Sequence, residues 1–191
     1  MTNNSPTFLF TITYFIWCLS EILLSRLLRT KSTDKQNADK GTLTIIWITI
    51  IICIVLSVNI SIAYYNPISE NSMTRYLGLA IIYIGIILRM LVVKSLGKLF
   101  TVTVTIRQDH KLKKDGFYKY IRHPSYLASF LSFVGFGISL NNWISLLLIC
   151  SAILFVFILR IKVEEKVLIQ EFGTEYIEYK KTTKGIIPFI Y

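Results

Sequence analysis

Gly116-Phe117-Tyr118-Lys119-Tyr120-Ile121-Arg122-His123-Pro124-Ser125-Tyr126 is a polar, aromatic stretch between two long apolar regions of a 191-residue chain. It holds one of the two histidines; the other, His110, lies just ahead of it. A second polar cluster, Arg160-Ile161-Lys162-Val163-Glu164-Glu165, follows the next apolar region. The reading adopted here is that the two clusters meet at a membrane surface and build one site.

The composition around them is that of an integral membrane protein. Of all residues 53% are hydrophobic and only 17% charged, and the charges are segregated into blocks. The formal net charge is +10. Because Lys and Arg flank apolar runs, anionic lipid headgroups and the positive-inside rule account for them, and no nucleic-acid partner is needed. Cys18, Cys53 and Cys150 each fall inside an apolar run and read as buried packing residues. With two histidines and no paired cysteine spacing, no metal site is expected.

The apolar runs Thr7–Leu28, Thr42–Tyr64 and Tyr76–Val93 are long enough to cross a bilayer, which takes about 20 residues. The first carries its positive charges (Arg26, Arg29, Lys31) after the run, so it reads as an uncleaved span with its N-terminus outside. Glu21 within it reads as an interfacial residue or a partner for a neighbouring span, with a functional role as the lesser reading. Arg89 near the inner end of the third run is expected to snorkel, with pairing to an acid as the alternative. Arg29–Lys40 reads as a basic loop, and Phe100–Ile106 (FTVTVTI) as an extended segment packed on the spans.

Pro124 suits the first turn of a helix. Tyr126–Leu140 and Trp143–Leu159 then read as a tight helical hairpin, with Asn141-Asn142 at its outer turn and Trp143 as an interfacial anchor. Ser129, Ser132, Gly135 and Gly137 would permit close helix packing. From Arg160 to Lys181 apolar residues recur at helical spacing, which predicts an amphipathic helix on the membrane surface, interrupted at Gly173. The expected fold is therefore an all-α integral membrane protein. It has about five transmembrane helices and a C-terminal amphipathic helix, with the polar clusters facing the cytosol. It forms a single domain over 1–191, with three spans in 1–93 and the functional half in 94–191.

Arg160 and Glu164 stand four residues apart and share a helix face, which by itself means only a local ion pair on an interfacial surface. The residues fit no nucleophile–His–acid triad, phosphate loop or metal cage.

Two longer segments carry a resemblance. His110–Tyr126 reads HKLKKDGFYKYIRHPSY, and Arg160–Lys181 reads RIKVEEKVLIQEFGTEYIEYKK. In this order, with a hairpin of spanning length between them, they resemble the isoprenylcysteine carboxyl methyltransferase family, which shares this half-chain with phospholipid methyltransferases. The resemblance covers about Leu96 to Phe189. It implies S-adenosylmethionine as methyl donor. His110 and the main chain of Lys111, Leu112 and Lys113 would cradle it, with Tyr118, His123, Pro124, Ser125 and Tyr126 completing the cradle. Glu164 would contact the cofactor and Arg160 would hold the substrate. The sequence departs from the eukaryotic members at Lys111 and Lys113, where less polar residues are common, and at Thr103, where they have a Gln.

Those roles suit the chemistry. A sulfonium and an ammonium call for an acid and aromatic faces. A lipophilic carboxylate acceptor needs alignment and no general base, and an arginine fork can align it. A phospholipid amine or lipid-like phenol would instead need a proton acceptor, for which Glu165, His123 and a tyrosine are equal candidates. A non-catalytic membrane scaffold is the reading from another class.

Overall fold

The structure is a computed structural model that describes residues 5–27, 41–96 and 112–186. The basic loop 29–40, the extended segment Phe100–Ile106 and the cofactor candidates His110 and Lys111 lie outside the described residues.

The described residues form α1 (Ser5–Leu27), α2 (Thr42–Ala63), α3 (Met73–Leu96), α4 (Pro124–Ser139), α5 (Trp143–Phe172) and α6 (Thr174–Thr182). α2, α3 and α5 are long and apolar enough to cross a bilayer; the apolar stretch of α1, Phe8–Leu24, and α4 are shorter. Many apolar side chains face outward, among them Phe15, Ile51, Val55, Ile87, Leu147 and Phe155. Such a surface suits lipid, where helices satisfy their own backbone groups. Cys18 belongs to this outward surface: it is exposed on α1, not buried as its apolar surroundings suggest, because α1 turns only one stripe toward its neighbours.

α3 and α4 pack backbone to backbone. A Cβ added to Gly135 would lie 2.7 Å from the Gly78 carbonyl oxygen and 2.7 Å from the Ile82 nitrogen; one added to Gly85 would meet Ser132 and the Ala128 carbonyl. Thus Ser132 and Gly135 serve the close packing expected of them. Gly137 serves a different helix, since its missing Cβ makes room for Leu146 and Ile149 of α5. Gly78 and Gly85 are the matching half on α3. Aromatic rings fill the wider gaps: Trp17 of α1 stands edge-on to Phe133 at 4.8 Å, and Phe157 of α5 meets Tyr126 at 5.1 Å.

The end of the bundle at Asn141-Asn142 is tied by amides. Asn141, with φ 52°, exchanges hydrogen bonds with the backbone of Ser69, while Asn142 caps α5 through Ser145 N and donates to the Tyr64 carbonyl. Trp143 N donates to the Asn66 carbonyl. The α2–α3 loop and the α4–α5 turn are therefore one structure, which satisfies backbone groups that would otherwise be buried unpaired.

At the other end α5 does not stop with its apolar run. Thirty residues at 1.5 Å each give about 45 Å, well beyond a hydrocarbon core of about 30 Å. Arg160, Glu164 and Glu165 lie in this continuous helix, not at the start of a separate surface helix. The break comes at Gly173, whose φ of 53° suits glycine. Beyond it, Tyr176 and Tyr179 of α6 turn into protein, so the inward face of this short helix is not directed at lipid.

The tight α3–α4 contact yields a direct test. Gly135→Val is expected to lower the thermal unfolding midpoint in detergent micelles, at a cost of about 1–3 kcal/mol for overpacking. Leu147→Val, on the lipid-facing side, should leave the midpoint nearly unchanged.

Candidate active site

Five helix ends converge opposite the Asn141-Asn142 turn: the ends of α1, α3 and the apolar part of α5, and the starts of α2 and α4. The chain enters α4 through a single 3-10 turn at Gly116–Lys119, and His123 occupies the cap position with Pro124 in the first turn as expected. This brings His123 and Tyr126 against the extension of α5, where Glu164 and Glu165 lie side by side.

Each carboxylate has its own set of partners. Glu164 Oε1 accepts from Tyr126 Oη at 2.5 Å and from Arg160 Nε at 3.3 Å, and its Oε2 lies 3.5 Å from His123 Nδ1. Glu165 accepts from Arg122 Nε at 2.8 Å and from Lys180 Nζ. His123 lies between them, with Nε2 3.5 Å from Glu165 Oε1 but without hydrogen-bonding alignment. Burial alone would lower the His123 pKa; the two carboxylates outweigh it and raise it. Burial pushes the Tyr118 and Tyr176 phenols well up and Tyr179 to about 12, so all three stay protonated at neutral pH.

Arg160 is 1% exposed, and besides Glu164 it donates to the Thr42 hydroxyl at the start of α2. Arg122 reaches three segments at once: Glu165 of α5, the Lys180 carbonyl of α6 and the Thr183 carbonyl beyond it. Residues 184–186 then run alongside 120–123. Arg122 N and His123 N donate to the carbonyls of Lys184 and Gly185, Lys184 N donates back to Tyr120, and Ile186 is fully buried. Tyr179 Oη donates to the Tyr118 carbonyl at 2.5 Å.

Several candidates from the sequence therefore come together: His123, Pro124, Tyr126, Arg160 and Glu164. Tyr118 is buried at the edge of the cluster. Lys113 turns its ammonium to Asp115 at 2.9 Å, leaving main chain as its means of contact, as it does for Leu112. Ser125 is engaged from outside: Arg89 Nη1 donates to its carbonyl at 3.0 Å and to its hydroxyl at 3.2 Å. Arg89 does not snorkel; its Nε pairs with Glu21 of α1 at 3.0 Å.

The profile of the "Isoprenylcysteine carboxyl methyltransferase (ICMT) family" matches residues 77–170. "Protein-S-isoprenylcysteine O-methyltransferase B" of Arabidopsis thaliana is 33% identical over 131 residues, 68% of this chain and 66% of that protein. The "probable protein-S-isoprenylcysteine O-methyltransferase" of Oryza sativa subsp. indica is 34% identical over 128 residues, 66% of this chain and 67% of that one. The chain belongs to the isoprenylcysteine carboxyl methyltransferase family.

A solved structure of a eukaryotic intramembrane Ras methyltransferase of this family superposes with a TM-score of 0.60 at 26% identity, over 80% of this chain and 54% of that one. The chain thus spans just under two thirds of the Arabidopsis relative and about half of the solved structure. With the apolar helices, these likenesses identify an integral membrane protein.

The family match begins in α3 and ends in α5, so it contains His123, Arg160, Glu164 and Glu165 but not Glu21, Thr42, Lys180 or Thr183. Glu21 fits the reading of it as a partner for a neighbouring span; the contacts of Thr42, Lys180 and Thr183 are the ones a reading of the sequence misses. Thr42 is a small polar residue among many, and nothing local marks it as facing Arg160. For Arg122 and Lys180 the signal in the sequence is the pair of adjacent glutamates at the end of an apolar run, which need more cations than Arg160 alone supplies.

The raised His123 pKa sets a pH dependence. A pKa above its unfolded value, ordinarily near 6.5, gives stability that is fully present below that value. That stability is lost as pH climbs through the higher folded pKa. Thermal unfolding in detergent should show the wild type's advantage over His123→Gln largest below pH 6.5 and shrinking on the alkaline side.

Proposed function

We propose that the protein is a membrane-embedded methyltransferase that transfers a methyl group from S-adenosylmethionine to a lipophilic carboxylate, as in isoprenylcysteine carboxyl methylation. The observation that carries this reading is the joining of His123, Tyr126, Arg160 and Glu164 into one cluster at a helix end, in a chain of this family.

The cluster suits the donor. S-adenosylmethionine supplies an electrophilic methyl on a sulfonium and carries an ammonium as well. Glu164 is the partly exposed carboxylate of the pair and stands beside the rings of His123 and Tyr126. His123 Nε2 and Tyr176 Oη are buried without a hydrogen-bond partner among the described residues. Buried donors of this kind are expected to be satisfied in the working protein, and a polar ligand can do so. In this reading Glu164 holds positive charge, the main chain of Leu112 and Lys113 joins His110 and Lys111 around the rest of the molecule, and Tyr118, Pro124 and Ser125 shape its wall.

Arg160 is assigned to the acceptor. A carboxylate is already ionised at neutral pH, so the protein has to align it, exclude water and fix its direction of approach. A guanidinium suits that task through its rigid fork, and the apolar run of α5 ahead of Arg160 suits a lipid-like chain. The Thr42 hydroxyl and Glu164 define the plane of that fork. The reading also takes the five apolar helices as spans and the site end as cytosolic. The described site end carries Lys94, Lys113, Lys114, Lys119 and Lys184, whereas the opposite end carries Glu70 in the α2–α3 loop and Arg75 in the first turn of α3. Anionic headgroups would meet that basic rim.

Calorimetric titration of S-adenosylmethionine should show Glu164→Gln and His123→Ala binding about 10- to 150-fold more weakly, the equivalent of about 1.5–3 kcal/mol for a charge-assisted contact. Glu171→Gln, on an exposed position, should bind like wild type. Arg160→Lys should lose most methyl transfer to a prenylcysteine acceptor while keeping its cofactor affinity. Equal affinity in all the variants would place the cofactor elsewhere, and full activity of Arg160→Lys would remove Arg160 from the acceptor site.

Sidedness is tested separately. A single cysteine at position 114, in a variant without the native cysteines, should resist impermeant thiol reagents in intact cells and react after permeabilisation. One at position 71 should react from outside. Strong external labelling at 114 would reverse the topology.

A further inference from the structure

Glu21 and Arg89 are two charged groups at the inner end of otherwise apolar helices. Their side chains are 16% and 17% exposed, and Arg89 Nε lies 3.0 Å from a Glu21 carboxylate oxygen as an ion pair without hydrogen-bonding alignment. Ion pairs so sheltered are costly to assemble, because both partners lose water. Arg89 does more than answer Glu21. Its Nη1 donates to the carbonyl and hydroxyl of Ser125, the second residue of α4, between Pro124 and Tyr126.

The placement of Arg89 is electrostatically adverse on its own. A helix N-terminus carries partial positive charge, and a guanidinium held there is repelled. His123, at the cap of the same helix, has its pKa raised by its carboxylates and adds to the positive charge. Glu164 and Glu165 are engaged by Arg160, Arg122 and Lys180. The carboxylate that holds Arg89 in position is Glu21, contributed by α1, outside the family-matched residues.

We propose that Glu21 is a positioning residue. By pairing with Arg89 it keeps the guanidinium on Ser125 and so fixes the first turn of α4, which orients His123 and Tyr126 toward Glu164. The proposal rests on the cofactor reading above. It gives α1 a part in the site through Arg89 and Ser125. α1 also docks on α4 far from this point, through Trp17 against Phe133 and through the Tyr14 hydroxyl on Ser139 Oγ at 2.7 Å. That second contact provides a control that loosens α1 without touching the charge relay.

S-adenosylmethionine affinity is measured by calorimetry on the full chain in lipid nanodiscs, for wild type, Glu21→Gln, Glu21→Asp, Arg89→Gln, the Glu21→Gln/Arg89→Gln double variant and Tyr14→Phe. The expected result is a loss of about tenfold in Glu21→Gln and in Arg89→Gln, as for one charge-assisted contact, and no further loss in the double variant. Glu21→Asp should recover part of the affinity. Tyr14→Phe should lower the thermal midpoint and leave affinity unchanged. Wild-type affinity in Glu21→Gln, additive losses in the double variant, or an equal loss in Tyr14→Phe would each overturn the proposal. Should Glu21→Gln not fold, Glu21→Asp against Tyr14→Phe decides by the same comparison. Absence of binding by the wild type would remove the cofactor reading, and this proposal with it.

Discussion

Two adjacent carboxylates at the end of a membrane helix must be answered by cations, and much of the described structure near them serves that need. Glu164 and Glu165 are consecutive residues of α5 and so project about 100° apart around its axis. Arg160 and His123 answer the first, Arg122 and Lys180 the second. Removing one partner of such a set leaves a charge with little water to receive it, which ordinarily costs several kcal/mol. The cations come from α5, the α4 entry and α6, so these elements can vary in position only together. The orientation of α6, the path of residues 184–186 and the cap of α4 all follow from this requirement.

The bundle behind the site obeys a different rule. Without a hydrophobic drive between helices in lipid, close packing and interhelical hydrogen bonds must hold them. Gly78 and Gly85 of α3 meet Gly135 and Ser132 of α4, and Asn141 and Asn142 lock the far turn to the α2–α3 loop. These contacts give α4 a fixed rotation. Its N-terminal residues therefore reach the glutamates in one arrangement, and the Arg89–Ser125 contact lies on the same α3–α4 seam.

What the sequence makes legible follows from which interactions are local. The apolar runs, Pro124 at the helix start, the turn at Asn141-Asn142 and the break at Gly173 are set by residues close in the chain, and each appears where expected. The pair Arg160–Glu164 is local too, one helical turn apart. Contacts made across the fold were not legible. Nothing near Thr42 marks it for Arg160, and Arg89 looked like a residue that would reach for water because its carboxylate stands 68 positions earlier. The amphipathic pattern after Arg160 predicts helix, and helix forms, but part of its apolar face meets protein and not lipid. Periodicity reports that a face is buried, and it does not distinguish lipid from protein as what covers that face. Tyr176 and Tyr179 are covered by protein.

The pairing of residues 184–186 with 120–123 bears on how the molecule comes into being. Arg122 and His123 have their amides satisfied by carbonyls some sixty residues later in the chain. During synthesis the apolar helices can enter the membrane one after another while the glutamate cluster still lacks its last wall. A nascent chain that has completed α5 carries both glutamates but neither Lys180 nor the carbonyls of Lys184 and Gly185. Membrane insertion and assembly of the cluster are thus separate events in time, and a ribosome-bound chain is a membrane protein well before its two glutamates have all their partners.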